Sequence, residues 1–223
     1  MVKTKDHVFI HLQKCAGEHI SAFMKKKLGG ERIGATHSTI LPSEKNKIIV
    51  GNIRNPLTYY VSAWAYSCPE LKGGLGKTFV RHYPDKKHLF DDGHSVENFQ
   101  TWLKLMLTDA NFGKGNSIDT AAMRRYDIGI LTYRFFLLYN ALDFSLLKEP
   151  DKNVLVDHFI RVESLEEDFD RIFGTNINEE RHYKSGKSKH LPCNEYYNES
   201  LMDLVYRKDR YIFDKFNYRT EFT

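Results

Sequence analysis

The sequence predicts an α/β fold, a mostly parallel central sheet with helices on both faces, and three observations carry that expectation. Short apolar runs rich in β-branched and aromatic residues occur at 8–12, 47–53 and 154–162, each the length of a buried strand. Each run is followed by a segment whose apolar residues recur at helical spacing. Strand and helix alternating in this way argue for parallel strands joined by helical crossovers. At 223 residues the chain is long enough for one sizeable core, which favours one domain over two small ones.

Taken in order, the first strand is VFIHL, 8–12, and Ile20, Phe23, Met24 and Leu28 then mark a helix that Gly29 and Gly30 stop. The second strand is KIIVGNI, 47–53. Asn55 suits the N-cap of the next helix and Pro56 its first position. Residues 66–94 are rich in glycine, proline and charge without a clear period, so they read as a long excursion. A helix over 95–107 follows, with Val96, Phe99, Trp102, Leu103 and Leu107 on one face. Within 127–147 the stretch ILTYRFFLLYNAL reads as a buried helix whose aromatics pack the core. VLVDHFIRV, 154–162, is the third strand, and Ser164, Leu165, Glu166 and Glu167 have the S-x-x-E form of a capping box for a helix ending at Gly174. Leu201, Leu204, Val205, Tyr211 and Ile212 give the closing helix after Asn198. There are no internal repeats and no low-complexity segments.

Charge and cysteine content narrow the function classes. Thirty-three basic against 29 acidic side chains leave a net +4 scattered along the chain, which demands no nucleic-acid partner. Cys15, Cys68 and Cys193 are odd in number, far apart and without zinc-ligand spacing, so they read as reduced thiols. No apolar run approaches the ~18 residues of a membrane span. A soluble, cytoplasmic protein is the expectation.

Two junctions could carry chemistry. A helix that starts directly after a strand offers unpaired N–H groups and the positive end of its dipole. The amides of Ala16, Gly17 and Glu18 could therefore hold a phosphate beside Lys14. Arg54 stands at the end of the second strand and Ser62 two turns into the helix after it, so a guanidinium and a hydroxyl could serve one anion near the carboxyl edge of the sheet.

Together these elements resemble the sulfotransferase superfamily. HLQKCAGEHI is similar to its 5′-phosphosulfate loop, usually H-x-P-K-T-G-G-T-S, and NIRNPLTYYVSAW to its 3′-phosphate element, an R-x-P followed by a serine. FIRVESLEEDFDRI resembles the late strand and acidic helix, and KSKHLPCNEYYNESLMDLVYRKDRYIFDKFNY the C-terminal segment and closing helix. The four elements occur in the family's order, with 66–150 the least covered.

The resemblance implies a P-loop-like three-layer fold in a single domain, with 66–150 a variable, mostly helical acceptor-side region. It implies 3′-phosphoadenosine 5′-phosphosulfate (PAPS) as donor, adenosine 3′,5′-bisphosphate (PAP) as product, no metal, and a glycan or small-molecule hydroxyl or amine as acceptor. Lys14 would contact the bridging and 5′-phosphate oxygens, in a loop formed with Cys15, Ala16, Gly17, Glu18 and His19. Arg54 and Ser62 would hold the 3′-phosphate, with Lys187 and Ser188 near the same nucleotide. His37 occupies the region where carbohydrate-type members carry a histidine facing the acceptor, and an imidazole titrates in the range useful to a base. His11 and His19 are its competitors.

Three residues depart from the family pattern. Glu18 replaces a threonine, His19 a serine or threonine, and Tyr59 an arginine. A carboxylate at position 18 suits the helix dipole but repels a bound phosphate, so it must point away, be paired or signal an altered donor site. GGLGKT at 73–78 and SGKS at 185–188 imitate a nucleotide-kinase loop, but neither meets G-x-x-x-x-G-K-[ST]. A kinase using ATP and magnesium, and a non-catalytic nucleotide- or glycan-binding relative, are the alternatives.

Overall fold

The structure is a computed structural model that describes residues 1–35, 37–39, 44, 46–68, 70–71, 74–109, 120–175, 177 and 188–222. The chain divides into two compact units, each discontinuous in sequence: Met1–Asn55 with Arg134–Gly186, and Pro56–Tyr133 with Lys187–Thr223.

The first unit is a five-stranded sheet with helical segments on both faces. Its strands are β1 (Val2–Lys3), β2 (His7–Phe9), β3 (Glu31–Arg32), β4 (Ile48–Ile53) and β5 (His158–Arg161), in the order β3-β1-β2-β4-β5. β2, β4 and β5 are mutually parallel; β1 is antiparallel to β2, and β3 antiparallel to β1. Four of the five strands therefore run the same way, and only β1 opposes them.

Register sets the two faces. Phe9 pairs with Val50, and Ile160 lies on the same face. These three pack with Ile20, Phe23 and Met24 of α1 (Gly17–Lys27) and Phe169 of α7 (Leu165–Phe173). On the opposite face Gly51 and Phe159 are paired, and Phe159 meets Phe135 and Tyr139 from α6 (Ile130–Tyr139), at ring separations of 5.6 and 5.3 Å. A Cβ at Gly51 would lie 3.1 Å from the Tyr139 ring, so the bare backbone is what lets that ring lie on the sheet.

Several elements differ from the sequence expectation. The β1 to β2 hairpin is additional, closed by Thr4, whose N–H donates to the His7 carbonyl and whose hydroxyl accepts from the His7 N–H. The first strand stops at Phe9, because from Ile10 onward the chain turns into the loop that opens α1. The 127–147 helix is α6 followed by a separate 3₁₀ stretch, Phe144–Lys148. Ala141 and Leu142 between them take left-handed φ values of 48° and 61°, which breaks the helix.

The capping box at Ser164 does not form. Its hydroxyl donates to the Asp168 carboxylate instead, 2.8 Å away. Asp168 is nearly fully buried and accepts a two-pronged grip from Arg161 (Nε at 3.0 Å, Nη2 at 3.2 Å) and a further bond from Arg171 at 2.9 Å. Burial alone would raise its pKa, but these charged donors outweigh burial and hold the carboxyl down to about 2. The helix ends at Gly174 in the left-handed conformation, as its glycine predicts.

The second unit is helical: α2 (Pro56–Ser67), α3 (Gly74–His82), α4 (Val96–Thr108), α5 (Thr120–Tyr126), the beginning of α6, and α8 (Glu199–Phe216). The expected excursion over 66–94 is instead mostly structured, as α3 and a 3₁₀ stretch Pro84–Phe90. Its glycines hid the helix in the sequence. Gly76 serves packing, since a Cβ there would sit 2.6 Å from the Ser67 side chain of α2. Ser95 caps α4 by accepting from the Asn98 N–H, and Asn198 caps α8 by accepting from the Leu201 N–H. Trp64, Phe99 and Tyr196 stack edge to face at the centre of this unit, with ring separations of 5.1–5.7 Å.

Candidate functional site

The junction between β2 and α1 is a second strained segment of the first unit, in addition to Ala141 and Leu142. Lys14 and Ala16 both take left-handed backbone conformations, with φ of 63° and 59°, although neither is a glycine. Each costs about 1 kcal/mol and persists only where surrounding structure imposes it, which is characteristic of functional loops. Ala16 stands at the N-cap of α1 and makes no side-chain hydrogen bond to its first turn, where the positive end of the helix dipole lies.

Asn52 of β4 imposes this geometry. It is fully buried in an apolar strand, which is unfavourable unless every polar atom is satisfied. Its Oδ1 accepts from the Leu12 N–H at 2.7 Å, and its Nδ2 donates to the carbonyls of Leu12 and Cys15. The Tyr139 hydroxyl accepts from the Asn52 N–H at 3.0 Å and donates to the Asn52 carbonyl at 2.8 Å. The loop is thus fastened to the neighbouring parallel strand at two points, and that strand to α6.

Positive charge gathers on this loop. Arg54, just past β4, donates from Nη1 to the Lys14 carbonyl at 3.4 Å. Burial, reinforced by the Arg54 guanidinium, brings the Lys14 ammonium down to about 8, and the Glu18 carboxylate only partly opposes this. Cys15 is fully buried, and burial pushes its thiol well up despite the nearby charges of Arg54, Arg134 and Lys14. It is a packing residue and not a nucleophile. After β5, the Glu163 carboxylate accepts from the Asn55 N–H at 2.9 Å, so the loops following β2, β4 and β5 converge at the carboxyl ends of the parallel strands.

Gly17 is required where it stands. A Cβ there would lie 1.9 Å from Cδ2 of the buried His11 ring. Gly17→Ala is expected to lower stability by about 1–3 kcal/mol, read as a lower Tm, because the ring has no room to retreat in a packed interior. An unchanged Tm would show that the loop and ring are not in contact.

His11 and His37 form a pair. His37 Nδ1 lies 2.9 Å from the His11 carbonyl oxygen, and the two rings are 4.7 Å apart, edge to face. Burial brings His11 down to about 3, so it is neutral at ordinary pH. His37 is exposed as a residue, but its ring is partly covered, and that covering lowers its pKa although the bond to the His11 carbonyl opposes the shift.

The remaining sequence candidates fall as follows. Glu18 is exposed on the first turn of α1, and its charge acts on both Lys14 and His37; His19 is half-buried on the same turn. Ser62 is buried in α2 and Ser188 is half-buried before Lys189, both in the second unit. Lys187 lies outside the described residues, as do Gly73 of the GGLGKT decoy and 185–187 of SGKS. Tyr59, where the resemblance leads one to expect an arginine, is fully buried. Among the described residues no group of three or more His, Cys, Asp or Glu side chains is arranged to hold a metal. No helix among them is long and apolar enough to cross a membrane.

Two contributors escaped the sequence reading. Asn52 is the polar intrusion in KIIVGNI, and Arg134 the single charge in ILTYRFFLLY. A polar residue inside an apolar run was the available signal in both cases. Comparison of the chain with models of known protein families, with curated proteins and with solved structures returns no match.

Proposed function

We propose that the chain is a sulfotransferase that takes the sulfuryl group of PAPS to a hydroxyl or amine of a glycan or small-molecule acceptor. The observation that carries this reading is the β2 to α1 loop. Two non-glycine residues are held in left-handed conformation there, with Lys14 and Arg54 joined at the same turn. A polyanionic nucleotide fits that set: the positive end of the α1 dipole, an ammonium and a guanidinium, with Arg134 as a further nearby cation.

When bound, PAPS supplies an activated sulfuryl group on a 5′-phosphate leaving group. Lys14 neutralises charge growing on the departing phosphate, which matters most in the transition state. Arg54 holds the 3′-phosphate side. His37 removes the acceptor proton. The bond from sulfur to the phosphate oxygen breaks as the bond to the acceptor forms, and PAP leaves with the electron pair. The work of the protein is positioning and charge stabilisation, as in phosphoryl transfer.

Titration calorimetry with PAP and initial rates with labelled PAPS test this. Binding at micromolar PAP without added magnesium is the expected result. Absence of PAP binding, or magnesium-dependent ATP binding in its place, would overturn it. Glu18 favours one second reading, a non-catalytic nucleotide-binding relative, because its carboxylate acts on Lys14 where a donor phosphate would bind. PAP binding without turnover across a broad acceptor panel would select that reading.

A further inference from the structure

The two histidines beside the loop differ in a way that assigns them separate tasks. His11 is 6 % exposed, its ring stacked on Phe9 and pressed against the bare backbone of Gly17. His37 reaches it from the segment after β3, with Nδ1 on the His11 carbonyl. A carbonyl oxygen can only accept, so the hydrogen of this bond is on His37 Nδ1. In a neutral ring the other nitrogen, Nε2, then carries the lone pair.

We propose that His11 is a positioning residue for His37: its buried ring and carbonyl hold His37 in the Nδ1–H tautomer, leaving Nε2 as the proton-accepting nitrogen. This rests on the sulfotransferase reading for its chemical role. During transfer the acceptor proton moves to His37 Nε2, and the imidazolium so formed keeps its Nδ1–H bond to the His11 carbonyl. Two imidazoles 4.7 Å apart would repel if both were charged. Burial keeps His11 neutral and avoids that repulsion. The other groups acting on His37 are Arg134 of α6, the Met1 amino group and Glu18 of α1; the first two oppose its protonation and Glu18 favours it.

Side-chain ¹H–¹⁵N spectra of the histidines across pH 4–8 test the pair without relying on activity. The expected result is His37 in the Nδ1–H form, titrating below the ordinary 6.5, with His11 remaining neutral throughout. A His37 Nε2–H tautomer, or His11 charging above pH 5, would overturn the proposal. Kinetics separate positioning from catalysis. His11→Phe keeps a neutral ring and should retain kcat within about 3-fold, whereas His11→Ala should lose about 10²-fold, a loss typical of a misplaced catalytic group. His11→Ala should also move the acid limb of the kcat profile up toward pH 6.5, with KM for PAPS unchanged. His37→Gln should lose about 10²–10⁴-fold. If His11→Phe falls as far as His37→Gln, His11 is itself the base and the proposal fails. Failure of PAP binding would sink the sulfotransferase reading separately, whatever the spectra show.

Discussion

Replacement of Lys14 by alanine is expected, under the proposed sulfotransferase function, to lower kcat for sulfuryl transfer by about 10²–10³-fold, the usual effect of removing one group that stabilises charge formed in the transition state. The fold should survive, because the loop is held by Asn52 through backbone atoms and not by the lysine side chain. Lys14→Met should have an opposite effect on stability. The ammonium is protonated less readily in the folded chain, at about 8 against 10.5 for an ordinary lysine. Below pH 8 the folded protein therefore carries an unfavourable half-buried charge. That cost fades as pH rises from about 8 to 10.5, where the unfolded chain binds the extra proton. At pH 7 Lys14→Met should accordingly raise Tm, by about 2–4 °C for each kcal/mol relieved, while abolishing PAP binding. Wild-type affinity for PAP should fall as pH passes about 8. A Lys14→Ala rate equal to wild type would remove the lysine from the mechanism.

Asp209→Ala is expected to have the largest effect on stability, about 3–5 kcal/mol in chemical denaturation. Asp209 is fully buried at a kink in α8, with φ of −113°. One oxygen accepts from the Thr132 N–H and hydroxyl at 2.8 and 2.7 Å, and the other from the Tyr60 hydroxyl at 2.5 Å. The Tyr60 oxygen in turn accepts from the Ile130 N–H at 3.1 Å. Gly129 completes the arrangement, since a Cβ there would lie 2.3 Å from the carboxylate. Alanine would leave these donors buried without acceptors. Asp209→Asn keeps one acceptor and should cost only about 1 kcal/mol.

The pH dependence distinguishes the two Asp209 variants further. Burial raises the Asp209 pKa more than its hydrogen bonds lower it, so above pH 3.8 the folded state holds this proton more tightly than the unfolded chain. Wild type should lose stability relative to Asp209→Asn as pH rises from about 4. A wild-type curve parallel to that of Asp209→Asn would mean that the carboxyl titrates normally. These groups all belong to the second unit, so the effect should be read on its unfolding.

Local signals that depend on neighbouring residues were legible in the sequence. β4, the Pro56 start of α2, the helices α4 and α8 and the Gly174 stop all follow from short-range chemistry. Long-range competition decides where the structure departs from local pattern. Ser164 looked like a cap, but the buried Asp168 offered its hydroxyl a charged acceptor. The glycines of α3 looked like loop residues, but Gly76 is a point of close helix approach. The β1 to β2 hairpin rests on strands of two and three residues, too short to show a period.

At the candidate site, local pattern alone places Lys14 and Arg54 after strands, each followed by a helix. Long-range contacts make Asn52 lock the loop, hold Lys14 and Ala16 in left-handed conformations, bring Arg134 to Cys15 as a third cation and join His11 to His37. Sequence distance hides such contacts from local pattern. Leu12 is bonded to Asn52 across 40 residues, and the Tyr139 hydroxyl to Asn52 across 87, so these contacts exist only once the parallel strands have paired.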